Sequence, residues 1–463
     1  MAEVIILGAG LTGLSVAYHL EQKKIYDFEI FEKESIPGGL LRSFYKNGFI
    51  FDFTGHLLHI NNDYFYNFIN QIANIENFDL ISRNSYIQFD GKFIPYPFQM
   101  NLGHICKDKI VDSIYGFINR KKYIKNPNNF HEWVLKHFGS GMGKYFFFPY
   151  NKKLLCYNTK KITASWTNRF VPKTNLKTIL NCAVDKNIQQ SVGYNNFFYY
   201  PKKDGIFFLI KQLGKKLQNK INLNHKMVKI DSRNKIIHFE NGIQKNFKIL
   251  ISTIPLDTFL KNLKEDASNN LSKNYNKLLC NSVVNFNLGF NVHNLTNKHW
   301  IYFPQKNVPF YRIGFWHNIC KNSTPKNKTA IYGELSYLQQ KTSNEKLENL
   351  KNNSIEKILN ILKLKHTNII TQKTLLLKHA YVIYDFWREK NLNKIHKALN
   401  NQSIYSIGRY GEWKYSSMQE AVLDGKKYAD IISSKLTQNL NTTLQPFFLK
   451  KENTKEKLYN IKT

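Results

Sequence analysis

The sequence predicts an α/β fold that combines a Rossmann-type domain with an inserted helical domain and an antiparallel β-sheet domain. Three observations predict it. A glycine fingerprint follows an apolar run at the start of the chain, helix-length apolar patterns occupy residues 102–185, and a strictly alternating strand pattern appears at residues 284–290. A chain of 463 residues is long enough for two or three domains, each with its own core.

The first predicted unit is a strand, a tight turn and a helix. An apolar run ends at Gly8, glycines recur at Gly10 and Gly13, and a helical pattern begins at Leu14. Gly8 permits the turn, Gly10 lets the backbone approach a pyrophosphate, and Gly13 lets the helix pack on the strand. Since the first N–H groups of a helix have no partner inside it, this segment can hold a dinucleotide.

The second predicted strand ends in an acid. Residues 28–32 read Phe-Glu-Ile-Phe-Glu, and Glu32 lies 24 residues after Gly8. A carboxylate at about this distance, roughly 20 residues, commonly binds the ribose of a dinucleotide. The alternative is a glycine-rich turn in some other α/β protein, but strand, helix and acid together favour the dinucleotide site.

The strings that follow carry a family resemblance. They are Pro37-Gly-Gly-Leu-Leu-Arg42 and Phe51-Asp-Phe-Thr-Gly-His56. This pattern resembles the flavoprotein group that includes amine oxidases, protoporphyrinogen oxidase and UDP-galactopyranose mutase, and it implies FAD rather than NAD. The Gly-His pair is most similar to the mutase branch, where a loop histidine lies against the flavin. The cofactor-binding residues that the resemblance implies are Gly8, Gly10, Gly13, Leu14, Glu32, Lys33, Gly39, Leu40, His56 and Arg409.

Patterns in the rest of the chain predict secondary structure, and several strings there resemble the mutases in the same order. Hairpins are predicted to turn at Asp90-Gly91 and at Asn241-Gly242. The proline-aromatic segment Pro95-Tyr-Pro-Phe-Gln99, which follows the first hairpin, is similar to one in the mutases. Residues 284–290 alternate as a half-buried strand does, and residues 345–364 form an amphipathic helix. A last helix is predicted from about Met418 to Ser434, and the polar, lysine-rich tail is expected to be mobile.

The domain boundaries follow from these patterns. The FAD-binding domain comprises residues 1–101, 186–262 and 401–435, the helical domain residues 102–185, the antiparallel substrate domain residues 263–400, and the tail residues 436–463.

The resemblance also implies the substrate contacts. The residues that match diphosphate-binding positions of the mutases are Arg169, Arg312, Tyr302, Tyr381 and Tyr415, while His56 and Arg409 match residues beside the flavin. A guanidinium suits a diphosphate because it can engage two oxygens at once. Two positions depart from the family pattern: Gln88 stands where eukaryotic-type mutases have an arginine, and Ser417 where bacterial-type mutases have an acid.

The implied activity is the isomerisation of UDP-galactopyranose to UDP-galactofuranose for cell-surface polysaccharide synthesis, with N5 of the reduced flavin as the nucleophile. Two rivals stay open. One is an FAD-dependent oxidoreductase, such as an amine oxidase or desaturase, on the same scaffold. The other is a binding protein for an anionic polymer or membrane, suggested by a net charge of +34, although the lysines are spread along the chain.

The remaining expectations concern environment and partners. The five cysteines are scattered and indicate neither disulfides nor a metal site. No apolar run approaches the ~20 residues of a membrane span, and the apolar start of the chain lacks the basic leader of a signal peptide, so a cytoplasmic location is expected. The expected partners are a UDP-sugar and an electron donor such as NAD(P)H, with a homo-oligomer left open and no nucleic acid.

Overall fold

The computed structural model describes residues 3–122, 124–167, 170–186, 196–217, 220–264 and 270–452, with side chains described up to residue 437. Arg169 and residues 453–463 of the predicted tail lie outside the described residues. Strands and helices are labelled below in chain order.

The first layer is a parallel sheet that confirms the predicted α/β fold class. Its strand order is β20 (Ile404–Ser406), β13 (Ile249–Ser252), β1 (Val4–Leu7), β2 (Phe28–Phe31) and β9 (Ile221–Asn222). Every neighbouring pair is parallel. The central strand β1 is a short apolar run, and each of its residues is at most 1% exposed because both faces of the sheet are covered there.

Helices cover this sheet and bring distant parts of the chain together. Helix α1 (Leu11–Gln22) packs against α14 (Met418–Glu452) and α8 (Phe207–Leu217). Ser15 donates from Oγ to the carbonyl oxygen of Val422 at 2.9 Å, and a Cβ added at Gly425 would lie 2.4 Å from Ser15 Oγ. The C-terminal helix therefore needs a glycine where it crosses α1.

A seven-stranded sheet forms the second layer. Its order is β19 (Ile369–Leu377), β15 (Ser282–Phe290), β18 (Thr329–Tyr337), β17 (Arg312–Phe315), β16 (Trp300–Tyr302), β6 (Ser85–Phe89) and β7 (Lys92–Pro95). The sheet is antiparallel except between β6 and β16, which run parallel.

One sequence expectation about this sheet is confirmed and another needs correction. Hairpin β6–β7 turns at Asp90-Gly91 as predicted, and it is part of this seven-stranded sheet, where Ile87 and Phe89 are buried. Strand β15 was expected to be half-buried, yet all nine of its residues are buried, since β18 and β19 flank it and both of its faces are covered.

The helical region comprises α3 (Lys107–Ile118), α4 (Phe130–His137), α5 (Gly139–Met142), α6 (Phe148–Leu155) and α7 (Leu176–Val184). Aromatic side chains fill its core: Phe98, Phe117, Phe130 and Phe138 are each fully buried. This region packs beside β6 and β16, and α6 contacts β18 in the interior of the seven-stranded sheet.

The other elements complete the layers. A four-stranded sheet has the order β12 (Gln244–Asn246), β11 (Ile236–Phe239), β10 (Met227–Asp231) and β14 (Leu263–Lys264). Two further sheets have two strands each: β3 (Ser43–Lys46) with β4 (Phe49–Asp52), and β5 (Phe78–Ser82) with β8 (Phe197–Pro201). The remaining helices are α2 (Asp63–Ala73), α9 (Leu256–Lys261), α10 (Trp316–Ile319), α11 (Asn344–Leu362), α12 (Phe386–Asn400) and α13 (Gly408–Gly411).

The last helix is longer than predicted. Helix α14 continues to Glu452, so residues 436–452 are helical and not an irregular tail. Among the residues that the structure describes, no helix combines the length and the apolar character that crossing a membrane requires.

Candidate active site

The glycine fingerprint forms a close contact between strand and helix. Gly8 adopts φ +97°, which permits the sharp exit from β1. A Cβ added at Gly13 would lie 2.0 Å from the carbonyl oxygen of Gly8. Only glycine allows α1 to start this close to the strand.

Backbone from a second glycine pair lies beside the start of α1. The amide of Gly38 donates to the carbonyl oxygen of Ala9 at 2.8 Å, and a Cβ added at Gly39 would lie 3.4 Å from Gly10 Cα. Gly10 is the N-cap of α1, no side chain caps this end, and the first turn contains no acid. The open N–H groups at this helix end can therefore donate hydrogen bonds to a phosphate.

Gly8, Gly10, Gly13, Gly38 and Gly39 together form a nucleotide cradle. Glu32, directly after β2, lies next to it. Its Oε2 accepts from the amide of Ala9 at 2.8 Å and its Oε1 from the amide of Glu34 at 3.0 Å. These backbone contacts orient the carboxylate and leave lone pairs for ribose hydroxyls. The cradle fits a dinucleotide because it combines an anion-binding helix end, room for close backbone approach and an oriented carboxylate.

The other predicted cofactor residues lie around the cradle in different settings. Lys33 is exposed and pairs with Glu34 at 3.2 Å, while Leu40 is half-buried. Leu14 lies in the core, and its amide donates to the carbonyl oxygen of Gly10 at 3.0 Å, as an ordinary helix hydrogen bond. A direct cofactor contact from Leu14 stays a prediction.

A buried ion pair lies on the seven-stranded sheet. Arg312 on β17 and Glu334 on β18 are directly paired in the sheet. Nε and Nη2 of Arg312 donate to the two carboxylate oxygens of Glu334, each at 2.8 Å. Glu334 is fully buried, and the side chain of Arg312 is 18% exposed. Burial works against the charged guanidinium, but Glu334 raises the pKa of Arg312 well above its usual value.

Tyr381 and Tyr415 form a stacked pair beside a second arginine. Their ring centroids lie 5.9 Å apart, and Cζ of Arg409 lies 4.9 Å from the ring centroid of Tyr415. Arg409 donates from Nη1 to the carbonyl oxygen of Ser416 at 2.8 Å and from Nη2 to that of Ala380 at 3.1 Å. Its Nε is buried and finds no partner among the described residues. Burial raises the pKa of both tyrosines, so their hydroxyls stay protonated donors.

Gly408 connects this group to the nucleotide cradle. It adopts φ +77°, and an added Cβ would lie 2.6 Å from Oγ1 of Thr12 in the first turn of α1. Arg409 therefore follows a backbone position that contacts the N-terminus of α1. At this point the nucleotide cradle adjoins the polar cluster, which comprises Arg312, Glu334, Tyr381, Tyr415 and Arg409.

His56 faces the same cluster from the loop after β4. A Cβ added at Gly55 would lie 2.3 Å from the hydroxyl of Tyr332, so glycine is needed where this loop packs on β18. Nδ1 of His56 lies 3.0 Å from Oγ1 of Thr54. Burial and the neighbouring Arg409 lower the pKa of His56 to about 4. The imidazole is therefore neutral near pH 7.

Tyr302 lies at the other side of the site among aromatic rings. Its ring centroid is 5.2 Å from that of Tyr96 and 5.5 Å from that of Tyr150. Arg83 donates from Nη2 to the hydroxyl of Tyr302 at 3.3 Å and stacks over Tyr96 at 4.2 Å.

The structure thus brings Arg312, Tyr302, Tyr381, Tyr415, His56 and Arg409 into one neighbourhood. Two charged residues of this neighbourhood, Glu334 and Arg83, are not predicted from the sequence. Glu334 is the single charged residue of the otherwise uncharged strand β18. A charge within a buried strand requires a partner, and this signal could have revealed it. Arg83 precedes β6 without any comparable pattern.

The two positions that depart from the family pattern make the following local contacts. Ser417 precedes α14, and its amide donates to Oε2 of Glu420 at 2.7 Å, so a carboxylate is present one helical turn later. The backbone carbonyl of Gln88 accepts from the side-chain amide of Gln305. No group of three or more metal-ligating side chains suited to an ion occurs within the described ranges.

Comparison with known proteins places this geometry in context. The pattern of a family described as flavin containing amine oxidoreductase matches residues 11–432. A crystal structure of reduced UDP-galactopyranose mutase is similar, with a TM-score of 0.88 and 25% identity over 93% of this chain and 94% of that chain.

More distant structures share the fold alone. A CLA-producing fatty acid isomerase from P. acnes has a TM-score of 0.65 at 13% identity over 93% of this chain and 98% of its own. A putrescine oxidase with redesigned cofactor binding has a TM-score of 0.64 at 12% identity over 93% of this chain and 99% of its own. The family match and the mutase likeness indicate FAD as the cofactor.

Proposed function

The chain belongs to the flavin containing amine oxidoreductase family, and from that premise we propose that it is an FAD-dependent isomerase that interconverts UDP-galactopyranose and UDP-galactofuranose. The likeness to reduced UDP-galactopyranose mutase supports this proposal, because it spans over nine-tenths of both chains. The nucleotide end of FAD would be held by the residues of the cradle and its surroundings, with Leu14 nearby in α1. These residues are Gly8, Gly10, Gly13, Glu32, Lys33, Gly39 and Leu40.

The observation that carries the proposal is the composition of the polar cluster. It combines the guanidinium groups of Arg312, Arg409 and Arg83 with the carboxylate of Glu334. The phenols of Tyr302, Tyr381 and Tyr415 surround them. An excess of positive charge with several neutral hydroxyl donors suits a diphosphate, whereas an amine substrate would require an excess of negative charge.

The donors that remain available match this purpose. Glu334 engages Nε and Nη2 of Arg312, which fixes the plane of the guanidinium and leaves Nη1 for a ligand. The unpartnered Nε of Arg409 is a second buried donor. We propose that Arg312, Tyr302, Tyr381 and Tyr415 bind the diphosphate, and that Arg169 supplies a further guanidinium.

FAD, when bound and reduced, supplies a nucleophilic nitrogen for substitution at the anomeric carbon of the sugar. The chain's own task is to keep UDP in place while it is detached from the sugar. Charge-assisted hydrogen bonds from Arg312 stabilise the departing diphosphate. His56 presents a neutral imidazole, because burial lowers its pKa to about 4, and so it can orient the flavin without adding charge.

The proposal is tested by incubating the purified protein with UDP-galactofuranose after dithionite reduction, beside an oxidised control, and following UDP-galactopyranose by chromatography. Conversion in the reduced sample alone is expected. Bound flavin without conversion would contradict the mutase and favour the second candidate, an FAD-dependent oxidoreductase, which the family description supports. The same protein would then be assayed for amine-dependent flavin reduction.

A further inference from the structure

Lys153 on α6 binds a single loop of the seven-stranded sheet. Its Nζ donates to the carbonyl oxygens of Phe303 at 2.6 Å, Gln305 at 2.5 Å and Phe310 at 3.4 Å. All three acceptors belong to residues 303–311, which connect β16 to β17. One ammonium group therefore joins the two sides of this loop.

The setting of Lys153 is costly. The residue is half-buried, burial lowers its pKa to about 7, and no charged group within the described part of the chain offsets this effect. A buried charge without an opposite charge is unfavourable unless dipoles compensate it. The three carbonyl groups supply that compensation, so the ammonium and the loop conformation depend on each other.

At each end of the loop lies a residue that is proposed to bind the diphosphate. Tyr302 and Arg312 are direct partners in the sheet at its base, and the amide of Phe303 donates to the carbonyl oxygen of Tyr311 at 2.9 Å. Lys153 binds the carbonyl of Phe303, adjacent to Tyr302, and that of Phe310, two residues before Arg312. A shift of the loop would therefore move both Tyr302 and Arg312.

Helix α6 is itself anchored to the same sheet. The carbonyl oxygen of Leu154 accepts from Nδ2 of Asn281 at 2.6 Å and from Oγ of Ser336 at 2.7 Å. Three residues before Lys153, Tyr150 contacts Tyr302 edge to face at 5.5 Å between centroids. The helix is therefore a fixed support that can hold the loop in one position.

We propose that Lys153 is a positioning residue of the UDP-sugar site, which clamps residues 303–311 so that Tyr302 and Arg312 face the diphosphate together. This inference rests on the proposed function. It gives α6 a second role besides packing in the helical core, which is to align the two residues that bind the diphosphate.

The test compares Lys153→Met with Lys152→Met in full-length protein loaded with FAD. Lys152 is the exposed neighbour on the same helix, so its substitution removes the same charge without touching the loop. In Lys153→Met the Kd for UDP and the KM for UDP-galactofuranose should rise by about tenfold or more, the loss expected for a misplaced charge-assisted contact. Flavin content should be unchanged, and amide hydrogen exchange should accelerate within residues 303–311.

A variant that unfolds more easily but keeps the wild-type Kd, KM and loop exchange would overturn the proposal, because a purely structural lysine would behave in this way. If Lys153→Met does not fold, Lys153→Gln takes its place, since its uncharged amide can satisfy only part of the three carbonyl groups. A smaller rise in KM, in the same direction, is expected for it. Failure of the wild-type protein itself to bind UDP would contradict the proposed function and this inference with it, whereas wild-type binding with an unaffected variant contradicts the inference alone.

Discussion

Asp52 and Glu334 are both buried carboxylates, but the regions around them compensate the negative charge differently. Asp52, at the end of β4, accepts hydrogen bonds from neutral donors only: Ser43 Oγ at 2.6 Å, Tyr200 Oη at 2.8 Å and the amide of Ile206 at 3.2 Å. Glu334, on the seven-stranded sheet, is held by the guanidinium of Arg312.

The difference separates a structural junction from a candidate binding site. Burial raises the pKa of Asp52 to about 7, although its three donors partly offset this shift. Asp52 can therefore be protonated without losing its neighbours, and it joins β3, β4, β8 and the start of α8. Arg312 instead keeps its positive charge beside Glu334, because this carboxylate raises the pKa of the guanidinium. Part of the guanidinium stays available to a ligand.

The largest expected effect comes from breaking the ion pair. Glu334→Leu leaves Arg312 unpaired in a mostly buried site, and the free energy of unfolding should fall by about 3 kcal/mol. The double variant Arg312→Met with Glu334→Leu should recover most of this loss, because no charge is left without a partner. Denaturant unfolding measures both. A double variant as unstable as the single one would show that packing, and not the unpaired charge, causes the loss.

A smaller change tests the binding side of the pair. Arg312→Lys keeps a positive charge beside Glu334 but loses the planar fork. Turnover of UDP-galactofuranose should fall by about tenfold to a hundredfold, or roughly 1.5 to 3 kcal/mol, as for the loss of a charge-assisted contact. Flavin absorbance should be retained, since the cradle lies on another sheet. Arg120→Lys in the helical region is the control, and equal losses in both variants would contradict a specific role for Arg312.

The junction around Asp52 should respond to pH. Its folded pKa of about 7 exceeds the unfolded value of about 3.9, so protonation favours the folded state. This contribution is fully present below about pH 4 and is lost as the pH rises to about 7. Asp52→Asn should remove it. Unfolding free energies of both proteins across this range measure the difference, and parallel curves would contradict the prediction.

The smallest effect sharpens the role of the neutral donors. Tyr200→Phe removes the hydrogen bond to Oδ2 of Asp52, and it should cost about 1 kcal/mol of unfolding free energy while raising the pKa of Asp52 further. Tyr45→Phe is the matched control, because it removes a hydrogen bond to Asp204 on the exposed surface and should cost less than about 0.5 kcal/mol. Thermal or denaturant unfolding distinguishes them. Equal losses of unfolding free energy in the two variants would contradict the prediction, because they would show that a hydrogen bond to the buried Asp52 stabilises the fold no more than one to the exposed Asp204.

Much of the fold was predictable because local patterns specify it. Helix α11 spans Asn344–Leu362 where residues 345–364 were expected, and the turns at Asp90-Gly91 and Asn241-Gly242 occur as predicted. The placement of hairpin β6–β7 was not predictable, because its alternation is compatible with either sheet, and its pairing with β16 spans more than 200 residues.

The sequence by itself determined the nucleotide cradle. Gly8, Gly10, Gly13 and Glu32 lie within one strand-helix-strand unit, where spacing alone decides which backbone groups meet. Only the tertiary structure decided how the polar cluster is charged. Arg312 and Glu334 meet because β17 pairs with β18, and Lys153 reaches its loop because α6 packs against the sheet. Compensation of buried charge depends on contacts between distant segments, and residue spacing does not encode those contacts.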